Sequence, residues 1–333
     1  MKKLLLSTIF TIGLVGLVAC GSKTTTKNND TTARPTTVKP TTVAPTTTKE
    51  KKETVKVLTP SGTPLMAIGN LIGSDGLDIE AVNGPENLVA ELSKNELDVI
   101  IAPLTAGAKL SIAGKSKYKL EAVVTTNNTY LIGKEESTLT NISDVKNKKI
   151  IAYGQNNTPD IALKNALKNN DIELSDVEIT YENDVTTATS TFFGGSDYDY
   201  CLIAEPQITV FKSKGKVLNV LDLSEYMSTT IYQAGIFVNP NANQTRVNEV
   251  VEDIKNNIKY LNEKPADYAK DVLNKNAFFT NMGEAVLAQS IPNANISFIK
   301  AKDNKDNILA YYAEVNSYNP AILGGTVTDE FFR

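Results

Sequence analysis

The chain has 333 residues, 41% of them hydrophobic and 22% charged, with a formal charge of −4. That length and balance suit one large or two ordinary globular domains, and the acidic excess excludes a nucleic-acid binder that works by neutralising phosphates. Histidine and tryptophan are absent, arginine occurs only at Arg34, Arg246 and Arg333, and cysteine only at Cys20 and Cys201. Ser-His-Asp and Cys-His catalysis and histidine-ligated zinc are therefore excluded; neither a metal site nor a cofactor is expected.

The chain opens with Lys2-Lys3 and an apolar run over residues 4–19, ending Leu17-Val18-Ala19-Cys20. A basic end, a short apolar run and a small residue form a secretory signal, too short and wrongly flanked for a permanent span. With Gly21-Ser22 behind it, the end of the run resembles the lipobox of bacterial lipoproteins. The resemblance implies that residues 1–19 are removed and that Cys20 carries palmitate-type acyl chains, worth about 0.8 kcal/mol per buried methylene. The protein would then be lipid-anchored on the extracytoplasmic face of the cell membrane. Cys201 is left without a disulfide partner, and its apolar setting, Tyr200-Cys201-Leu202-Ile203-Ala204, predicts an inert buried thiol.

Residues 20–54 are mostly Thr, Lys and Pro. They hold too little apolar surface to offset the entropy of ordering, which predicts a disordered tether. The folded part starts at Val55. Strands are expected at 55–58, 77–82 and 97–102, with helices from Pro64, carrying Leu65, Ile68, Leu71 and Ile72, and over 85–92. Residues 120–125 and 129–132 flank the polar pair Asn127-Asn128. A second round follows, with a strand at 149–153, a helix over 160–169, and strands at 177–181, 200–204 and 231–238. The clearest helix is 246–262, where Val247, Val250, Val251, Ile254, Ile258 and Leu261 fall at i, i+3, i+4 spacing. Strand alternating with helix predicts βαβ units and mainly parallel sheets.

Two strand-to-helix junctions share one design: Thr59-Pro60-Ser61-Gly62-Thr63-Pro64 and Gly154-Gln155-Asn156-Asn157-Thr158-Pro159. Ligands of open α/β sheets bind at the carboxyl ends of strands, and helix starts present free N–H groups to acceptors and anions. Ordinary N-capping accounts for either junction alone.

The order of these junctions, of Asn95-Glu96-Leu97-Asp98-Val99-Ile100-Ile101-Ala102-Pro103-Leu104, of Ile142-Ser143-Asp144-Val145-Lys146-Asn147-Lys148-Lys149-Ile150, of Ala204-Glu205-Pro206 and of Pro320-Ala321-Ile322-Leu323-Gly324-Gly325 resembles a family of ABC-transporter substrate-binding proteins. It is the branch taking nitrate, sulfonates, taurine and thiamine-pyrimidine precursors, with the type II periplasmic-binding-protein fold. The resemblance covers residues 55–333. It implies an α/β chain of two lobes joined by a two-strand hinge: residues 55–128 and 235–333 in lobe one, 129–234 in lobe two, crossing outward at 127–130 and back at 232–235. It further implies a cleft lined by Ser61, Gly62, Thr63, Thr105, Ala106 and Asn127 from the first side. Tyr153, Gln155, Asn156, Asn157, Thr158, Glu205 and Gln233 would line the other. Tyr153 either stacks on a ring or fills the core. Glu205 either accepts from a ligand amine or merely ends a strand and starts a helix, and Glu182-Asn183-Asp184 either reaches the cleft or forms a surface turn.

No arginine lies in this expected cleft, so the bidentate grip on a carboxylate is missing. A small oxyanion on helix starts, or a polar heteroaromatic held by Asn, Gln and Thr, fits better. The expected partners are that solute, ABC permease subunits and the membrane, with the chain a monomer. The alternatives are an enzyme on the same two-lobe fold, as in menaquinone biosynthesis, with Asp98 or Glu205 as acid or base, and a surface lipoprotein with an adhesive or sensory role. No paired nucleophile and base is visible for the former.

Overall fold

The computed structural model of the protein describes residues 52–195 and 197–333. The expected signal peptide, the expected lipidation site Cys20 and all but the end of the expected tether lie outside the described residues. The chain begins with β1 (Val55–Pro60), α1 (Thr63–Met66), β2 (Leu77–Val82), α2 (Pro85–Lys94), β3 (Val99–Pro103), α3 (Leu104–Ile112) and β4 (Lys119–Thr126). It continues with β5 (Tyr130–Lys134), β6 (Lys148–Tyr153), α4 (Thr158–Asn169), β7 (Val177–Glu182), α5 (Val185–Phe193), β8 (Tyr200–Ile203), α6 (Gln207–Ser213) and β9 (Leu218–Asp222). It ends with β10 (Tyr232–Val238), α7 (Gln244–Glu263), α8 (Pro265–Val272), α9 (Ala277–Met282), α10 (Glu284–Ser290), β11 (Ile296–Lys300) and α11 (Lys305–Tyr318).

Two sheets organise these elements, in the orders β11-β4-β10-β3-β1-β2 and β7-β6-β8-β5-β9. Both are mixed. Strands β1–β3 pair in parallel, as do β6–β8, and here the expected βαβ units are found. The strands that carry the chain between the sheets, β4, β5, β9 and β10, enter antiparallel. Strand β3 is buried on both faces: Val99 and Ile101 pack with α1, α7 and α8, while Ile100 and Ala102 pack with α2, α3 and α11. That explains its continuous apolar run. Helix α7 buries Val247, Val250, Val251, Ile254, Ile258 and Leu261 on one stripe, behind the cap Asn243, whose side chain accepts from the Arg246 N–H.

The helix expected from Pro64 stops after one turn. Its next carbonyls are taken by the first sheet's own helices: Tyr268 donates to Met66 O, and the buried Asn257 donates to Ala67 O at 2.6 Å. Gly69 sits where a Cβ would come within 2.6 Å of both Tyr268 Oη and Phe279. The segment therefore turns in 3-10 form over Gly69–Leu71 instead of continuing.

The crossing between sheets is set by polar residues. Asn127, in the left-handed region at φ 47°, donates its N–H to Ile231 O at 3.0 Å and accepts the Ile231 N–H on Oδ1 at 2.8 Å. The return passes through 227–231, a few residues earlier than the expected 232–235, because β10 is zipped into the first sheet from Tyr232, which pairs with Thr126. Asn128 is the buried centre of the hinge. Its side chain accepts the Glu205 N–H at 2.8 Å and donates to Glu205 O at 3.1 Å, while Gln233 holds its backbone N–H and C=O at 3.0 Å each.

Candidate functional site

The carboxyl ends of β1, β2, β6, β7 and β8 and the starts of α1, α2, α5 and α6 face one another across a cavity of about 710 Å³. The six-stranded side contributes Ser61, Gly62, Thr63, Asn83, Gly84 and Phe278, the five-stranded side Tyr153, Asn183, Asp184, Thr187, Glu205 and Gln207. Gly62 has φ 109° and ψ −151°, a conformation open only to glycine. That turn sets Ser61 and Thr63 at the cavity wall.

The charged residues lining this cavity are Asp184 and Glu205, both acidic. Each also caps a helix. Asp184 accepts from Thr187 N at 2.8 Å at the start of α5. Glu205 accepts from Thr209 N at 3.1 Å and Thr209 Oγ1 at 3.0 Å in the first turn of α6. Burial pushes the Glu205 carboxyl above its ordinary value, and the Thr209 hydrogen bonds oppose this only in part. The folded chain thus holds this proton where the unfolded chain has released it. The contribution of Glu205 to stability is full below its unfolded value near 4.5 and is lost as pH rises through the folded value. Glu205→Gln keeps an acceptor for Thr209 and should flatten this part of the melting temperature's decline as pH rises above about 4.5. A slope identical to the unsubstituted chain's would show that Glu205 is not the titrating group.

A second cavity of about 370 Å³ lies where α3 and α4 begin, lined by Thr105, Ala106, Lys109, Asn156, Asn157 and Asn319 among others. Its charged lining residue is basic. The Thr105 hydroxyl is buried without a hydrogen-bond partner, and the free N–H groups of two helices of nine and twelve residues open toward it.

The expected lining residues are thus divided. Ser61, Gly62, Thr63, Tyr153 and Glu205 line the larger cavity, and Thr105, Ala106, Asn156 and Asn157 the smaller. Asn127 and Gln233 make the hinge bonds described above. Gln155 is exposed and Thr158 buried, and neither lines these cavities. Thr158 lies beside Tyr311 of α11. Asn183 and Asp184 reach the cavity rather than forming a plain surface turn, as the end of β7 demands by the same strand-end rule that singled out the Ser61 junction. Phe278 had no local signal, since α9 arrives from far along the chain.

The smaller cavity's second-lobe wall is held by a buried carboxylate that no local sequence pattern marks. Asp160, fully buried in the first turn of α4, accepts the Asn156 N–H at 2.7 Å and Lys164 Nζ at 2.9 Å on one oxygen, and the Tyr181 hydroxyl on the other. Burial alone would lower the Lys164 pKa; Asp160 and Tyr181 together more than offset this and raise it. The lone thiol of Cys201 is buried, which pushes its pKa up and leaves it inert.

Residues 74–268 match the family model described as NMT1/THI5 like, a span of more than half the chain. The chain belongs to the NMT1/THI5-like family. No relative was found among curated proteins. Solved structures share the fold of this family member. An ABC transporter protein from Parabacteroides distasonis superposes with a TM-score of 0.70 at 19% identity, covering 85% of this chain and 99% of that one. The periplasmic aliphatic sulphonate binding protein SsuA from Escherichia coli gives 0.65 at 12% identity, with 83% and 90% covered. The alkanesulfonate-binding protein SsuA from Xanthomonas axonopodis pv. citri, bound to MOPS, gives 0.59 at 14%, with 79% and 94% covered. The NMT1/THI5-like chain is thus a two-lobed periplasmic-binding-protein fold. Among its described residues no helix is long and apolar enough to cross a membrane, and no group of three or more acidic or cysteine side chains is placed to hold a metal.

Proposed function

We propose that the protein is the solute-binding component of an ABC importer, held outside the cytoplasm by acylated Cys20 and a threonine-rich leash, and handing its cargo to a permease as a monomer. The observation that carries this reading is the larger cavity, bounded by the strand ends of both sheets and fed by short polar side chains instead of a nucleophile and base. The names borne by the structural neighbours, an ABC transporter protein and two sulphonate-binding proteins, agree with it. Residues 55–128 and 232–333 would then move as one lobe and 129–231 as the other. Binding without turnover is expected.

The charge of the cavity favours a polar heteroaromatic solute that donates hydrogen bonds. Asp184 and Glu205 supply acceptors, Ser61 and Thr63 supply hydroxyls, and Tyr153 and Phe278 supply ring faces from opposite lobes. A small anion is the second reading, and its site would be the smaller cavity, where Lys109 and the starts of α3 and α4 favour negative charge. A melting series on the full chain separates the two. A solute at about 100 times its dissociation constant adds about 2.7 kcal/mol of stability. Aminopyrimidines and related amine-bearing rings should raise the melting temperature, and Glu205→Gln should weaken that rise. A rise with sulfonates or nitrate that Lys109→Met abolishes would favour the second reading. A flat response to every solute would count against solute capture.

A further inference from the structure

We propose that Lys164 is a positioning residue that ties the two walls of the smaller cavity together across the lobe boundary. One wall is the turn Asn156-Asn157, which belongs to the five-stranded lobe and is pinned by Asp160 through the Asn156 N–H at 2.7 Å. The other wall is Asn319, which directly follows the last residue of α11 in the six-stranded lobe. Lys164 touches both supports. Its ammonium is bonded to Asp160 at 2.9 Å and stands 5.4 Å from the Tyr181 ring centroid within its own lobe. The same ammonium stands 5.7 Å from the ring centroid of Tyr318, the final residue of α11.

An ammonium within about 6 Å of a ring face is attracted to it, and this one is only 12% exposed, so water screens it weakly. The contact does not stand alone. Ile161 and Ala162, on the same helix as Lys164, pack into the core of the six-stranded lobe with Tyr311 and Tyr312. Glu314, also on α11, accepts from Ser228 at 3.2 Å and from Thr229 on the returning hinge segment. Helix α11 is therefore the strut on which the other lobe rests. Lys164 is the charged point of that contact and the one joined to the cavity turn through Asp160.

Hydrogen exchange on the full chain tests this, because a residue that stabilises only its own lobe leaves the opposite wall unchanged. The reporting amides are Asn157 and Ile161 on one side, bonded to Gly154 O and Asn157 O, and Ile322 and Gly324 on the other, bonded to Asn319 O and Pro320 O. Tyr318→Leu should speed exchange at Asn157 and Ile161 by about three- to fivefold, the worth of one such contact. Lys164→Met should speed exchange at Ile322 and Gly324 by a similar factor, and Lys164→Arg, which keeps charge and ring contact, should restore it. Changes confined to the substituted lobe would overturn the proposal. Tyr318→Leu leaves the Asp160 pair intact, so it decides the matter even if Lys164→Met fails to fold.

Discussion

Asp160→Ala should destabilise the folded chain by about 3–5 kcal/mol, the largest effect expected of any polar substitution in it. Three donors converge on this fully buried carboxylate: the Asn156 N–H, the Lys164 ammonium and the Tyr181 hydroxyl. Removing it strands a nearly buried cation and two part-buried donors at once. Asp160→Asn keeps an acceptor but not the charge, and should lose less. Chemical denaturation of both variants measures the difference. A loss below about 1 kcal/mol for the alanine variant, the range of an exposed ion pair, would show that Lys164 finds water or another partner.

Asn128→Ala should cost about 2–4 kcal/mol, since the Glu205 N–H and C=O would both be left buried and unpaired. The neighbouring substitution Asn127→Ala removes one side-chain bond, from Ile231 N–H, and should cost less, although its left-handed backbone adds some strain. Equal losses at the two positions would mean that the hinge is held by its backbone pairing and not by the Asn128 side chain. The ordering matters for function, because Asn128 joins the hinge to the strand end that carries Glu205 into the cleft.

The alternation of strand and helix was legible because parallel strands buried on both faces read as unbroken apolar runs, as at Val99-Ile100-Ile101-Ala102. Strands β9 and β11 gave no such signal. Each is an edge strand, and most of its residues are half-buried, so neither a run nor a clean alternation marks it. The early end of α1 was illegible for another reason, since Asn257 and Tyr268, which take its carbonyls, lie far along the chain. At the larger cavity, the strand-end rule points to the Ser61–Thr63 junction and, at the end of β7, to Asp184, whereas Tyr153 and Glu205 are expected from the family resemblance. Sequence position alone could not separate Asn127, with its left-handed backbone, from Asn128, with its buried side chain. Nor could it show that Asp160 faces Tyr181 across β6 and β7. These are properties of packing between distant segments, as is the arrival of Phe278.

The central claim is that a solute is gripped from both lobes at once. The most direct measurement is the dissociation constant, by titration calorimetry on the full chain, of whichever solute raises the melting temperature. It should be measured for the unsubstituted protein, for Thr63→Val on one side of the cavity and for Tyr153→Leu on the other. Each lost contact of about 1.4 kcal/mol is a tenfold change in that constant, so both variants should bind about tenfold or more weakly while still melting cooperatively. Weakening by only one of them, or by neither, would contradict capture between the lobes.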